Sequence, residues 1–532
     1  MAFSALTELS ASSLALLAVF AVFSALALRI VYNLYLHPLS GFHGPWYAAS
    51  FSIVSALVSI LRFEHEWLLS LAKRYGTDKP IRIAPTLLFF PQPEALKDIY
   101  WDPKCNNKSP FYGSGALGPP QLFSTLDGNV HKALRKALAG PAWTIGGLKN
   151  NWEPRIDEHI KLFVQRMSEF AARNEPVILS DKVAEFAADI MTLVCFTEPW
   201  GFVTNSRDER NMLESWRKGL TFFGFAGRFR FLRDVVLKTS WGCRYLLPST
   251  SDDVGMGYLM AQADREVSGR ERRIRDEGFA QEKPDYLQLC LEARMDGEPL
   301  TPVEKRAHIT LLIQAGADTT GTALGSTLRF LLTHPSALAR ARAELASADA
   351  AGKLTPSAVQ FEETRARLPF ITACLKESLR LHPPATNLFA RVAPAVTLSP
   401  KDGGGSGGGK IIDGTWVPAG AEVTSHAYVV QRDPRLYGPE PEAFRPERWL
   451  EGEGNSKERI SEMEACMFVF GIGPRVCLGK DVATMEMYKL VPEILRRFDF
   501  EVKRDGKFVV DGGIAYNQDF EVQLRMREKQ VE

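Results

Sequence analysis

Helical spacing of apolar residues dominates the chain from about residue 150 to residue 382. Ile156, Ile160, Phe163, Met167 and Phe170 recur at steps of three and four, which places them on one face of a helix. The longest such signal starts at Thr301-Pro302-Val303-Glu304. Thr301 suits an N-cap, Pro302 the first helical position, and Glu304 closes a capping box. Ile309, Leu312, Ile313, Leu324, Leu328 and Leu331 continue the spacing until His334-Pro335 stops it. This predicts a helix of about 31 residues, roughly 46 Å long, that runs through the middle of a domain. Strand signals are short: residues 81–83, residues 87–90, and a hairpin in which Lys410-Ile411-Ile412 and Thr415-Trp416-Val417 flank Asp413-Gly414. The expected fold is mainly α with small β-sheets.

The N-terminal apolar run has a different pattern. Residues 11–28 are apolar apart from Ser12, Ser13 and Ser24, and Ile30 and Val31 extend the run to bilayer length. Ala25-Leu26-Ala27 has the look of a cleavage site, but residues 1–10 hold no Lys or Arg and Arg29 follows the run. Those flanks favour a retained anchor with the remainder of the chain in the cytosol. The expected organisation is an anchor over 1–33 (transmembrane about 11–31), a proline-rich linker over 34–50 and one domain over 51–532. The Gly/Ser run 403–409 reads as a flexible loop and is given no function.

Composition narrows the function. With 45% hydrophobic residues the chain can bury a sizeable core, and a net charge of +1 gives no basic excess for nucleic acid. The seven cysteines are scattered and none forms a CxxC pair, which excludes a disulfide framework and an obvious zinc site. Gly113-Ser114-Gly115-Ala116-Leu117-Gly118 reads as GxGxxG, but no strand precedes it and Pro119-Pro120 follows, so a dinucleotide site is rejected.

One cysteine is set apart by its surroundings. Phe470-Gly471-Ile472-Gly473-Pro474-Arg475-Val476-Cys477-Leu478-Gly479 is a glycine-rich loop leading into a helix that runs through Val482 and Met485 toward Phe498. A helix N-terminus is expected to lower the Cys477 pKa and favour thiolate. Gly471, Gly473 and Gly479 let backbone approach something large and flat, and Arg475 is placed to meet an anionic group on it. Upstream, Glu377 and Arg380 share one helix face, and His382-Pro383-Pro384 ends that helix. In the long helix, Ala315-Gly316-Ala317-Asp318-Thr319-Thr320 sets an acid and hydroxyls among apolar residues. Thr319 either bonds back to a carbonyl or belongs to a polar groove around a small ligand.

The Cys477 segment matches FxxGxRxCxG at every fixed position and resembles the haem-binding loop of the cytochrome P-450 superfamily. The resemblance extends over residues 35–532. It implies haem b with Cys477 as axial thiolate, Phe470 near the sulfur, Gly471 and Gly479 shaping the loop, and Arg475 on a propionate. His131 and Arg135, four residues apart, and Arg391 are implied as further propionate partners. Glu377, Arg380 and Arg448, the last in Phe444-Arg445-Pro446-Glu447-Arg448-Trp449, are implied as a buried network behind the haem. Gly316 is implied to leave room for oxygen, Thr319 to hydrogen-bond it, and Asp318 to relay protons. The implied enzyme is a monooxygenase in the endoplasmic reticulum membrane. It draws NADPH electrons from a separate cytochrome P-450 reductase, with cytochrome b5 as a second donor, docked near Lys480, Lys132 and Arg445. Its substrate is a lipophilic small molecule facing residues 111–123, 221–231, Ile313, 386–389 and 514–516. Residues 31–38 and 486–492 look most like fungal members, including the pisatin-demethylase-like group, which implies specialised metabolism. The rivals are a reductase-independent isomerase, dehydratase or peroxygenase, which the intact Asp318-Thr319 pair argues against, and a non-catalytic haem carrier.

Overall fold

The computed structural model describes residues 11–140, 143–279, 285–395, 408–453 and 455–527. Residues 403–407 of the Gly/Ser run lie outside the described residues. The chain is mainly helical with small sheets. Helix α1 (Ala11–Val31) has the predicted bounds. None of its apolar window is buried, and it is the one described helix long and apolar enough to cross a membrane. The stretch read as a linker is packed onto the body. Leu39 is buried. The buried Arg82 guanidinium also donates to the carbonyls of Asn33 at 2.7 Å and Leu39 at 3.1 Å.

Strands β1 (Ile81–Ala84) and β2 (Leu87–Phe89) pair antiparallel. They join β3 (Arg391–Val392) and β6 (Glu422–Thr424) in the order β1-β2-β6-β3. The hairpin β4 (Gly409–Ile412) and β5 (Thr415–Pro418) turns on Asp413 and Gly414 at φ 43° and 71°. Two central residues with positive φ suit the strand twist, which is why Asp-Gly marks the turn.

Helices α2 (Gly128–Leu138), α3 (Leu179–Phe196), α4 (Met212–Arg228), α5 (Pro302–Thr333), α6 (Pro369–Leu381) and α7 (Lys480–Arg497) build the core around the site. The 32-residue α5 carries the expected Thr301–Glu304 capping box and is packed closely by α3. Small residues permit that approach. A Cβ added at Gly321 would sit 2.7 Å from the Ala184 Cα, and one at Gly316 would collide with the Met191 side chain. Gly316 therefore admits the side chain of Met191 of α3.

Candidate active site

Helix α5 and the loop before α7 line one mostly apolar cavity of about 320 Å³. Ala315, Gly316, Thr319 and Ala323 face it from α5, and Phe470, Gly471, Arg475, Cys477 and Gly479 face it from the loop. Both readings of Thr319 meet here: Oγ1 donates to the Ala315 carbonyl at 2.7 Å, and the residue lies on the cavity wall.

The loop needs its glycines for two reasons. Gly471 and Gly473 have φ of 73° and 69°, a region that disfavours side chains, and a Cβ on Gly473 would strike the Tyr100 carbonyl. Gly479 has negative φ, and a Cβ there would meet nothing within 4 Å, so its missing side chain leaves cavity open beside Cys477. The Cys477 amide donates to the Phe470 carbonyl at 2.7 Å. Its side chain counts as exposed by surface area, but the surface it presents is the wall of an interior cavity. Burial accordingly raises the Cys477 thiol, against the Gly479 amide and the Arg135 and Lys480 charges that pull it down. The expectation of a lowered pKa fails in the free chain because the loss of water outweighs the helix end.

Basic groups gather at one end of the cavity. Arg475 donates to the carbonyls of Asn106, Thr125 and Leu126, and burial and Arg391 lower its pKa to about 9. Burial, Arg475 and Lys108 drive His131 to about 3, and its buried Nδ1 has no partner among the described residues. Arg391 Nη1 donates to the Phe389 carbonyl at 2.8 Å, and Arg135 donates to the Val476 carbonyl beside Cys477. Sequence reasoning missed Lys108, which lines the same end and belongs to no motif. Among the described residues none of these cations has a carboxylate partner within ion-pair distance. Glu486 of α7, the one carboxyl on the lining, is pushed well above its ordinary range by burial. Buried cations that repel one another and lack an acid call for an anionic ligand. A flat, two-carboxylate group seated against Cys477 and Gly479 fits the residues present.

Asp318 is placed elsewhere. It is 1% exposed, off the cavity lining, and held in a bidentate pair by Arg217 of α4, Nε to Oδ2 at 3.0 Å and Nη2 to Oδ1 at 2.8 Å. Ile313 is also off the lining and packs in the core, while its neighbours Leu311 and Leu312 face the cavity. Of the other pocket segments, Leu117, Leu122, Phe123, Phe223, Phe389 and Ile514 reach the wall.

Hydrogen bonds join the three residues that the resemblance implied as a network. Glu377 is fully buried and accepts from Arg380 Nε and Nη2, and from Arg448 Nε, each at 2.8 Å. Trp449 Nε1 adds a bond at 2.9 Å and the Arg445 amide one at 3.0 Å. Trp449 thus contributes a donor that a phenyl ring lacks.

A helical fold with an interior cavity, a loop cysteine on its wall and a cationic end suits an anionic cofactor. The family model described as Cytochrome P450 matches residues 93–512, and the chain belongs to that family. It is a haem monooxygenase whose iron takes a cysteine thiolate. A cytochrome P450 monooxygenase of Aspergillus terreus is 29% identical over 86% of this chain and 89% of its own length. The cytochrome P450 monooxygenase gsfF of Penicillium aethiopicum is 29% identical over 95% and 97%. Quiannulatic acid synthase of Emericella variicolor is 27% identical over 88% of each.

Proposed function

We propose that this chain hydroxylates or epoxidises a lipophilic small molecule in fungal secondary metabolism, with NADPH electrons delivered by a separate reductase. The observation that carries the proposal is one apolar cavity that joins Cys477, Thr319 and a cluster of basic side chains, with a single carboxyl, Glu486, on its lining. The fungal relatives support the metabolic setting.

Cys477 would supply the sulfur ligand, and Arg475, Arg391 and His131 would hold the propionates. Arg135 braces the sulfur's loop through Val476. Bound there, haem supplies oxygen activation, which thiolate ligation favours. Burial raises the Cys477 thiol, so a bound haem iron would be what favours its thiolate form. Thr319 keeps its own proton on the Ala315 carbonyl and offers its Oγ1 lone pairs to the cavity, so it can accept a hydrogen bond and position a proton donor. Asp318 would be fed from the Arg217 side, where the guanidinium is 24% exposed. The apolar wall selects a lipophilic ligand and excludes water.

In this reading α1 anchors residues 1–33 in the endoplasmic reticulum membrane, 34–50 leads out of it, and 51–532 works in the cytosol. The experiment is the carbon monoxide difference spectrum of reduced microsomes, with Cys477→Ser in parallel. A thiolate-type Soret band that the variant loses is the expected result. Its absence from folded, haem-supplied wild type overturns the proposal. Turnover that survives removal of NADPH and reductase favours the isomerase or peroxygenase instead.

A further inference from the structure

Two sulfur atoms on α3 have no part in the chemistry proposed for Cys477 and Thr319. Met191, Val194 and Cys195 recur at steps of three and four on α3, and all three line the cavity. Helix α3 packs closely on α5, whose Gly316 and Thr319 line the same cavity. The Met191 side chain fills the notch that Gly316 leaves. Its Sδ lies 3.2 Å from where a Cβ on Gly316 would stand. The thioether is thus held on the wall, beside the turn of α5 that carries Thr319.

The two sulfurs are chemically unequal. Cys195 Sγ donates to Met191 Sδ at 3.2 Å. Burial and the charge of Asp285 hold the Cys195 thiol well above its ordinary range, so it stays protonated. A thiol is oxidised through its thiolate, whereas a thioether needs no deprotonation. Met191 Sδ accepts one weak hydrogen bond and keeps a second lone pair. Met191 is therefore the reactive sulfur of the pair. Met487 of α7 also lines the cavity, but it is 1% exposed against 7% for Met191. Among the described residues, the other methionines lie off the lining.

We propose that Met191 is an internal oxidation site, whose thioether takes up an oxygen atom when oxygen is activated in the cavity with no substrate present. The proposal rests on the haem reading above. The oxidant is hydrogen peroxide, which the two-electron reduction of oxygen by NADPH leaves when no substrate is oxidised. Its O–O bond breaks, one oxygen bonds to Met191 Sδ as the sulfoxide, and the other leaves as water with both protons. The sulfur gives up two electrons in the same step. The product is polar on an apolar wall and bulkier than the thioether that fills the Gly316 notch, so it strains the packing of α3 on α5. The mark records turnover without substrate.

The test uses the full-length holoenzyme in detergent and added hydrogen peroxide, with no substrate. It is run with and without imidazole to occupy the iron, and tryptic peptides are read by mass spectrometry. Cleavage after Lys182 and Arg207 places Met191 and Cys195 on one peptide, whose fragment ions tell them apart. Met526, 50% exposed, reports peroxide in solvent, and Met212, 1% exposed and off the lining, reports the core. Met191 is expected to gain one oxygen about tenfold faster without imidazole than with it, because the oxidant acts beside it. Met526 is expected to oxidise equally in both, and Met212 in neither. Met191→Leu conserves volume and is expected to keep the thiolate-type Soret band and lose the mark. The wild-type measurement stands without that variant. An unmodified Met191 after the haem has bleached overturns the proposal. So does Met191 oxidation that imidazole leaves unchanged, which assigns it to peroxide from solvent, and so does a mark on Met487 or Cys195 in its place. A wild-type chain with no Soret band before peroxide is added defeats the haem reading instead.

Discussion

Replacing Glu377 with Gln keeps the size of the side chain and removes one charge from a buried polar network. Two carboxylate oxygens there accept five hydrogen bonds, three of them from the Arg380 and Arg448 guanidinium groups at 2.8 Å. Gln offers one oxygen, turns an NH₂ toward donors, and leaves two buried guanidinium groups without a counter-charge. Breaking a buried pair in this way costs about 3–5 kcal/mol, a large share of the roughly 5–15 kcal/mol that holds a folded protein together. The sign with pH follows from the Glu377 carboxyl. Burial pushes its pKa up, but Arg380, Arg448 and the Arg445 amide outweigh burial and hold it below the ordinary range. Its contribution is therefore complete above about pH 4.3 and is lost as pH falls through the depressed folded value. The assay is denaturant unfolding of full-length wild type and Glu377→Gln in detergent, followed by tryptophan fluorescence at pH 7 and at decreasing pH. The gap in midpoint is expected to be full at pH 7 and to narrow in acid. A gap equivalent to less than about 1 kcal/mol at pH 7 would refute the network's structural role.

Other outcomes follow from packing and pairing. Gly321→Ala drives a Cβ to 2.7 Å from the Ala184 Cα, and its overpacking cost of about 1–3 kcal/mol exceeds the gain from removing a helical glycine. Gly269→Ala, with nothing within 4 Å, is expected to stabilise by about 0.5–1 kcal/mol, so thermal unfolding of the two variants should move in opposite directions. Arg217→Met strands a carboxylate that is 1% exposed. A double-mutant cycle with Asp318→Asn, read by thermal unfolding, should return a coupling of about 1–3 kcal/mol, and additivity of the two changes would show that the pair carries no stability.

What was legible in the sequence was what neighbouring residues decide. Thr301 and Glu304 cap α5 from three residues apart, and Asp413-Gly414 turns a hairpin without outside help. Contacts between distant segments were legible only through resemblance, as for Arg448, which reaches Glu377 across 71 residues. Lys108 was invisible because no local pattern marks it and its meaning depends on Arg391 and Arg475. The Cys477 thiol was misjudged because a helix terminus can be read from sequence and depth of burial cannot.

The placement of Asp318 was legible in principle. Successive residues of an α-helix point about 100° apart. Leu312, Ala315, Gly316, Thr319 and Ala323 recur at helical steps and make one stripe, which is the cavity wall. Asp318 lies two positions from Gly316, about 200° around the helix from the middle of that stripe, and packs against Arg217. Adjacency in a motif suggests that an acid and an alcohol act side by side, whereas helical geometry sends them to different surroundings. Asp318 pairs with a part-exposed guanidinium on the Arg217 side of α5, and the Thr319 hydroxyl stands on the cavity wall.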